Sequence, residues 1–518
     1  MSLMETLRAR KLITLMVAIF AALLVQTSWV EEDAFITLRT AENFIHGYGL
    51  RWNVTERVQT YTNPLWMFLL AGTHALISNP FLALIALSMI ISIAAMFLIL
   101  TTLPHSDFGL LLAFSSLCLS KAFVDYSTSG LENPLSHLLA TCFAAYYFQQ
   151  ERSSSERNLF LLSSIAGLSA FNRMDTILFY APILVTLFIE QPTKQTVRQM
   201  LLGLSPFIVW EIFATIYYGF PIPNTYYAKM NTEVPLSQML TQGVLYFINS
   251  LSWNPISLTI IFSAVGITFM RKRRAEVLLA SGIIFYLVYV LYIGGDYMSG
   301  RFFSTPFVLS VILLVRGVED ATKTEKTIWL TLVLVLGLLL APIKSYSSLL
   351  ENNTATYDNT TGIADERDGY YIFTNLLLFS RAQPLPVHPF VKYGLQVRAE
   401  KNKVVPMPAV GMSGYFAGPE TFVVDEYALG DPLLARLKPI ADSDWRVGHF
   451  KRSVPDGYLA SLESGENKIT DPNLAAYYDK ILLITRGNIW SVARWDAIWK
   501  MNTGQYGYLI EAYTRSHP

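Results

Sequence analysis

The chain has 518 residues, is 52% hydrophobic and 15% charged, and has a mean hydropathy of +0.36, values that exclude an ordinary soluble protein. Basic and acidic residues balance at 39 each with a pI of about 7.1, so no cationic excess exists to hold nucleic acid. The two cysteines, Cys118 and Cys142, both fall in apolar runs, where they read as small buried side chains and not as a disulfide or metal pair.

Taken in chain order, Arg8, Arg10 and Lys11 precede an apolar run at 12–30 that is long enough to span a bilayer, and it reads as an uncleaved anchor because no small-x-small site precedes Glu31. Further apolar runs lie at 81–103, 108–124, 134–149, 158–171, 175–190, 197–218, 246–270, 275–293, 302–316 and 326–343, which predicts about eleven crossings. The segment 61–78 reads as an interfacial or re-entrant helix, since a crossing there would spoil the charge asymmetry of the later loops. With that choice one side holds Arg8, Arg10, Lys11, Arg152, Arg157, Lys194, Arg198, Arg271 to Arg274, Arg316, Lys323 and Lys326, while the other, before Lys344, holds half as many cations. The positive-inside rule makes the first side cytoplasmic. The loops at 31–60, 125–133, 172–174, 219–245 and 294–301 then face outward. From about residue 346 the chain turns polar and predicts a mixed α/β external domain at 346–518 behind a membrane domain at 1–345. Within it, 421–424 and 481–485 read as strands, and 363–379 and 472–480 as helices.

The outward loops carry the polar residues. Glu31, Glu32 and Asp33 follow the first span directly. They read either as a solvated helix end or as a carboxylate beside a membrane cavity, where desolvation raises its pKa and makes it a better base; Asp33 is the stronger candidate. If a helix continues, Asp33, Thr37 and Arg39 share a face. The same loop continues through His46, Gly47, Gly49, Trp52, Tyr61, Asn63 and Trp66. Its aromatics suit an interfacial belt or sugar stacking. Later loops add Glu132, Asn172-Arg173-Met-Asp175, Asn224-Thr-Tyr226-Tyr227-Ala-Lys229 and Gly295-Asp296-Tyr-Met-Ser-Gly-Arg301. Arg173, Lys229 and Arg301 thus lie on one side of the membrane, as binding a lipid phosphate requires, or else snorkel to headgroups and pair with Asp175 or Asp296. Glu211, inside the run at 197–218, needs a proton or a partner there. No phosphate-binding glycine loop, dinucleotide fingerprint, zinc spacing or nucleophile elbow is present, which disfavours ATP-driven transport and serine hydrolysis.

Together, Glu32-Asp33-Ala-Phe-Ile-Thr-Leu-Arg39, Tyr61-Thr-Asn-Pro-Leu-Trp66, Ser129-Gly-Leu-Glu132, Tyr218-Gly-Phe-Pro-Ile-Pro-Asn224-Thr-Tyr-Tyr-Ala-Lys229, Gly295-Asp296-Tyr-Met-Ser-Gly-Arg301-Phe, Val447-Gly-His-Phe450 and Pro455-Asp-Gly-Tyr-Leu459 resemble the mycobacterial terminal β-(1→2)-arabinofuranosyltransferases and their bacterial relatives. These belong to the GT-C superfamily of polytopic α-helical glycosyltransferases. The resemblance implies a decaprenylphosphoryl-arabinose type of donor, a polyprenyl-phosphate-linked sugar, and transfer to an arabinan-like glycan acceptor at the outer face of a bacterial plasma membrane. Where that family has Asp-Asp this chain has Glu32-Asp33, which leaves Asp33 as the transferable catalytic carboxylate, with Glu32 beside it. Asp33 is also the ligand for a divalent cation, Mg or Mn, if the reaction takes one. The family's Arg-Pro-Asp reads Arg173-Met174-Asp175 here. The implied donor-phosphate residues are Arg301, Lys229 and Arg173, and the implied sugar and acceptor residues are Arg39, Tyr61, Asn63, Glu132, Asn224, Tyr226, Tyr227 and Asp296. The competing reading, a lipid-linked-sugar flippase or polysaccharide transporter, requires polar residues through the membrane interior and on both faces. A third reading is a glycan-binding module on a membrane scaffold.

Overall fold

The computed structural model describes residues 3–102, 106–152, 159–340, 361–379, 386–407, 409–440 and 445–517, and these are predominantly helical. Five helices are long and apolar enough to cross a membrane: Arg8–Thr27, Pro80–Thr102, Lys194–Tyr218, Arg274–Tyr292 and Arg301–Val318. A sixth crossing arises if Leu236–Trp253 and Pro255–Arg271, bent by 110° against each other, form one span. The continuous run expected at 246–270 is therefore broken. Pro255 lacks an N–H and drives the residue before it out of the helical region, and Asn254 indeed sits at φ −145°, ψ 66°. Helices also occupy other expected runs, at Asp107–Leu119, Leu159–Asn172, Ile177–Glu190 and Lys323–Leu334. Those have 12 to 14 residues. At 1.5 Å per residue they reach about 20 Å, short of a bilayer's roughly 30 Å hydrocarbon core.

Contacts gather the chain into two compact units, each assembled from sequence-distant pieces. The first comprises Met1–Glu31, Phe81–Phe207 and Pro235–Leu385, and the second Glu32–Pro80, Ile208–Val234 and Pro386–Pro518. The domain boundary expected at 345/346 lies outside the described residues. In the first unit the core centres on helix Ser304–Val318, whose side chains are buried on nearly every face, together with Phe20, Phe143, Phe179 and Tyr286. A helix apolar all round belongs at the centre of a bundle. The Phe179 and Tyr286 rings stack at 4.3 Å.

The second unit holds the described strands, Val404–Met407 and Phe422–Asp425, paired in parallel with Val404 opposite Phe422. Their crossover contains the short helix Met412–Ala417. The backbone of Val423 is completed by a side chain: Asn53 donates from Nδ2 to the Val423 carbonyl and accepts from its N–H, both at 3.0 Å. Helix Ala34–Ile45 packs beside Pro64–Leu76, the latter lying where the interfacial helix was expected. Residues 481–485, expected as a strand, instead continue helix Pro472–Arg486. Asp471 caps that helix by accepting from the Leu474 N–H at 2.9 Å, and Pro472 starts it. Its buried residues Leu474, Tyr477, Tyr478, Ile481, Ile484 and Thr485 form one stripe of helical period.

Candidate functional site

Helix Ala34–Ile45 begins directly after Asp33, so the helix postulated through this motif exists. Asp33 is half-buried and its side chain makes no capping bond to the helix it precedes. Glu32 behaves differently. It is 7% exposed, its Oε1 accepts from the Met412 N–H at 2.9 Å, and a Cβ on Gly411 would lie 2.8 Å from Oε2. Burial, reinforced by Asp33 beside it, pushes the Glu32 carboxyl up to about 8, so it is largely protonated at neutral pH. The expected face of Asp33, Thr37 and Arg39 divides in the same way. The Thr37 hydroxyl donates to Asn63 Oδ1 at 3.2 Å, and Arg39 turns into the unit's interior.

Arg39 was expected at the acceptor; the structure makes it a structural pin instead. It is 3% exposed, and its guanidinium donates to the carbonyls of Trp52 (2.9 Å), Thr421 (2.8 Å) and Gly414. Tyr61 is likewise internal, its hydroxyl 2.9 Å from that of Tyr218, which donates to the Leu50 carbonyl. Asn224 donates from Nδ2 to the carbonyls of Ala428, Leu429 and Asp431 and accepts from Arg436. Trp52, Tyr61 and Trp66 are all buried, so neither the belt nor the sugar-stacking role is open to them. Trp52 lies so close to Gly430 that a Cβ there would come within 2.5 Å of its ring. Of the aromatics assigned to sugar, Tyr226 is exposed, while Tyr227 is half-buried with the Arg436 guanidinium 4.6 Å from its ring.

The first unit gathers Arg173, Arg301, Glu132, Asp175 and Asp296. Arg173 pairs with Glu132 at 2.9 Å and Asp175 at 2.5 Å, and Arg301 with Glu132 at 3.2 Å and Asp296 at 3.5 Å. Arg173 also lies over the Phe302 ring. Two guanidiniums face three carboxylates, so an incoming phosphate meets a group already neutralised. That arrangement suits holding helix ends together better than capturing an anion.

Lys229 is in a different position. It is exposed on helix Asn224–Met230 and forms no ion pair among the described residues. Arg452 ties that helix to the turn containing Val447-Gly-His-Phe450: its Nη2 donates to the carbonyls of Ala228 (2.6 Å) and Asn231 (3.1 Å), and another nitrogen to the Phe450 carbonyl. The His449 N–H donates to the Arg446 carbonyl at 3.0 Å, closing the turn. Burial and the charges of Arg446 and Lys229 hold His449 well below its ordinary range, so it is neutral at pH 7. Its ring meets Tyr427 edge-on at 5.0 Å. The sequence motif contained His449 without assigning it a role, and it left out Arg446.

Three other carboxyls of the second unit are also buried. Burial lifts Asp425 to about 6 and Asp431 to about 7, against backbone bonds from Tyr427, Gly430, Leu433 and Leu434, and it raises Glu56 as well, against the pairing with Arg486. With Glu32, Asp425 and Asp431 bind more protons folded than unfolded over a window from about pH 4 to pH 8 whose upper end is set by Glu32, so stability falls as pH rises through it, by up to about 1.4 kcal/mol per pH unit for each group in transition. Thermal melts of the detergent-solubilised protein are expected to show a Tm higher near pH 5 than near pH 8.5. Glu32→Gln should flatten the upper part of that slope.

Among the described residues no three His, Cys, Asp or Glu side chains converge to hold a metal ion. Glu32, the neighbour that would complete a carboxylate pair with Asp33, is turned onto backbone amides, so the residues present do not fit a divalent-cation site, which needs several oxygen ligands.

No model of a known protein family matches the chain. It is 24% identical over 538 aligned positions to the terminal β-(1→2)-arabinofuranosyltransferase of Mycobacterium tuberculosis, covering 84% of this chain and 82% of that protein. It is 26% identical to the enzyme of the same name from Corynebacterium glutamicum, covering 67% of this chain and 56% of that protein. A shorter match, 29% identical, joins 35% of this chain to 34% of human GPI α-1,2-mannosyltransferase 3.

Proposed function

From the premise that the chain is a membrane glycosyltransferase homologous to the terminal β-(1→2)-arabinofuranosyltransferases, we propose that it moves arabinofuranose from a polyprenyl-phosphate donor to a glycan acceptor. The observation that carries this reading is the similarity to the mycobacterial enzyme, which extends over 84% of the chain and so spans both compact units. Transfer at the outer face of a bacterial plasma membrane, through about eleven crossings and a C-terminal external region, is supported by the excess of Lys and Arg on the opposite side.

In the proposed reaction an acceptor oxygen bonds to the anomeric carbon as the bond from that carbon to the phosphate oxygen breaks. The acceptor proton passes to Asp33, and the polyprenyl phosphate departs as an anion that needs little acid assistance. Lys229, with Arg446 beside it, receives the donor phosphate and neutralises the charge that develops on it. Neutral His449, whose Nδ1 faces the Val447 carbonyl, lines the turn at 447–450 without adding charge to it. Arg301 and Arg173, held by Glu132, Asp175 and Asp296, keep the helix ends of the first unit in register and take part in phosphate binding only if one of those carboxylates is protonated. Tyr226 is the aromatic that remains open to a sugar face.

The test supplies membranes containing the protein with radiolabelled polyprenyl-phosphate arabinose and an arabinan oligosaccharide. Lengthening of the glycan is expected; labelled donor that crosses the membrane while the glycan keeps its length would favour the flippase reading. Repeating the assay with other polyprenyl-phosphate sugars and acceptors tests the substrate assignment. Losing a phosphate contact costs about 2–4 kcal/mol. Lys229→Ala is therefore expected to lower kcat/KM for the donor by roughly 30- to 1000-fold, at unchanged folded yield, whereas Tyr61→Phe should leave it within a few-fold.

A further inference from the structure

The start of helix Lys194–Tyr218 carries a site of a different kind. Lys194, Gln195, Arg198, Gln199 and Leu202 follow the spacing i, i+1, i+4, i+5, i+8 and so share one helix face. With Phe160 from helix Leu159–Asn172 they line an open cavity of about 640 Å³. The two helices are locked together beside it. A Cβ on Gly203 would lie 2.7 Å from the Phe160 carbonyl oxygen, and one on Gly167 2.9 Å from that of Gly203, so only glycine permits this approach.

Lys194 and Arg198 are exposed and form no ion pair among the described residues. The nearest acid in sequence, Glu190, is taken by Arg274. Cations at the rim give way to Leu202 and Phe160, and Val197, Leu201 and Leu161 are exposed around them. Because this helix is long and apolar enough to cross a membrane, its polar first turns belong at the headgroup level and its exposed apolar residues against acyl chains.

We propose that this cavity binds the phosphodiester headgroup of an anionic phospholipid of the adjoining leaflet, with Lys194 and Arg198 on the phosphate, Gln195 and Gln199 on headgroup hydroxyls, and Leu202 and Phe160 against the first acyl carbons. The charge and the apolar wall together select this ligand. A zwitterionic lipid brings its own cation against Lys194 and Arg198, and free phosphate leaves the apolar wall unfilled.

Purified full-length protein in neutral detergent, titrated with phosphatidylglycerol, phosphatidylcholine or inorganic phosphate and read by native mass spectrometry and thermal shift, tests this. Phosphatidylglycerol should bind at least 10-fold more tightly than phosphatidylcholine and raise the Tm. The Lys194→Gln/Arg198→Gln pair should lose that preference, and the charge-keeping Lys194→Arg/Arg198→Lys pair should retain it. Both residues are exposed, so either pair should fold, and each single Gln variant should show part of the loss. Equal retention of the two lipids by the wild-type protein, an undiminished preference in the Gln variants, or inorganic phosphate matching the lipid would each overturn the assignment.

Discussion

Asp33→Asn is expected to lower the rate of glycosyl transfer by roughly 10²- to 10⁴-fold, the range over which a positioned general base acts, without loss of folded protein. The structural ground is the contrast between two adjacent carboxyls. Glu32 is buried and held by backbone amides, so its proton is retained at neutral pH and it serves the fold. Asp33 is half-buried and contributes no cap to the helix that follows, and an isosteric amide keeps its shape while removing its basicity. Glu32→Gln keeps an acceptor for the Met412 amide and should retain most of the activity. Initial rates with saturating donor and acceptor check the pair, since the loss in Asp33→Asn should appear in kcat. A near-normal kcat in that variant would remove Asp33 from the reaction.

The largest effect on stability is expected from Arg39→Ala, a loss of about 3–5 kcal/mol. The guanidinium satisfies the carbonyls of Trp52, Gly414 and Thr421 in a space almost closed to water. Leaving buried acceptors unsatisfied costs about 1–3 kcal/mol each, partly relieved where water enters. Domain stabilities are about 5–15 kcal/mol, so the variant should lose a large share of its stability and melt at a markedly lower temperature. Arg39→Lys should recover little, because one ammonium does not reproduce a planar fork serving several carbonyls. A well-folded Arg39→Ala protein with only a raised KM for the acceptor would restore the acceptor role expected from the sequence.

Hydropathy made the helical membrane class legible, because it depends on residues close together in the chain. Long-range pairing was hidden. Arg39 carries the same local signature whether it binds a sugar or spans to Gly414 and Thr421. Asn224 reads as a polar loop residue until the carbonyls of Ala428 to Asp431 surround it. The strand expected at 481–485 failed for a different reason. Five β-branched and apolar residues look extended in a short window, and only the stripe beginning at Leu474, with its Asp471 cap, reveals the helical period. For Arg173 and Arg301 the sequence offered Asp175 and Asp296 as partners beside the phosphate role, but not Glu132, which meets both guanidiniums from a distant part of the chain.

The 375 residues that separate Arg39 from Gly414 also set a schedule for biosynthesis. At roughly 5–20 residues per second a ribosome needs about 20–75 s to make that stretch. During that interval the loop at 31–60, with Arg39, Asn53 and Trp52, has emerged without the segments that later bury them. The loop at 31–60 is thus among the first parts of the chain to be made and among the last to acquire its final surroundings, so premature termination anywhere before residue 414 leaves a charged, aromatic-rich loop unburied for quality-control proteases to find.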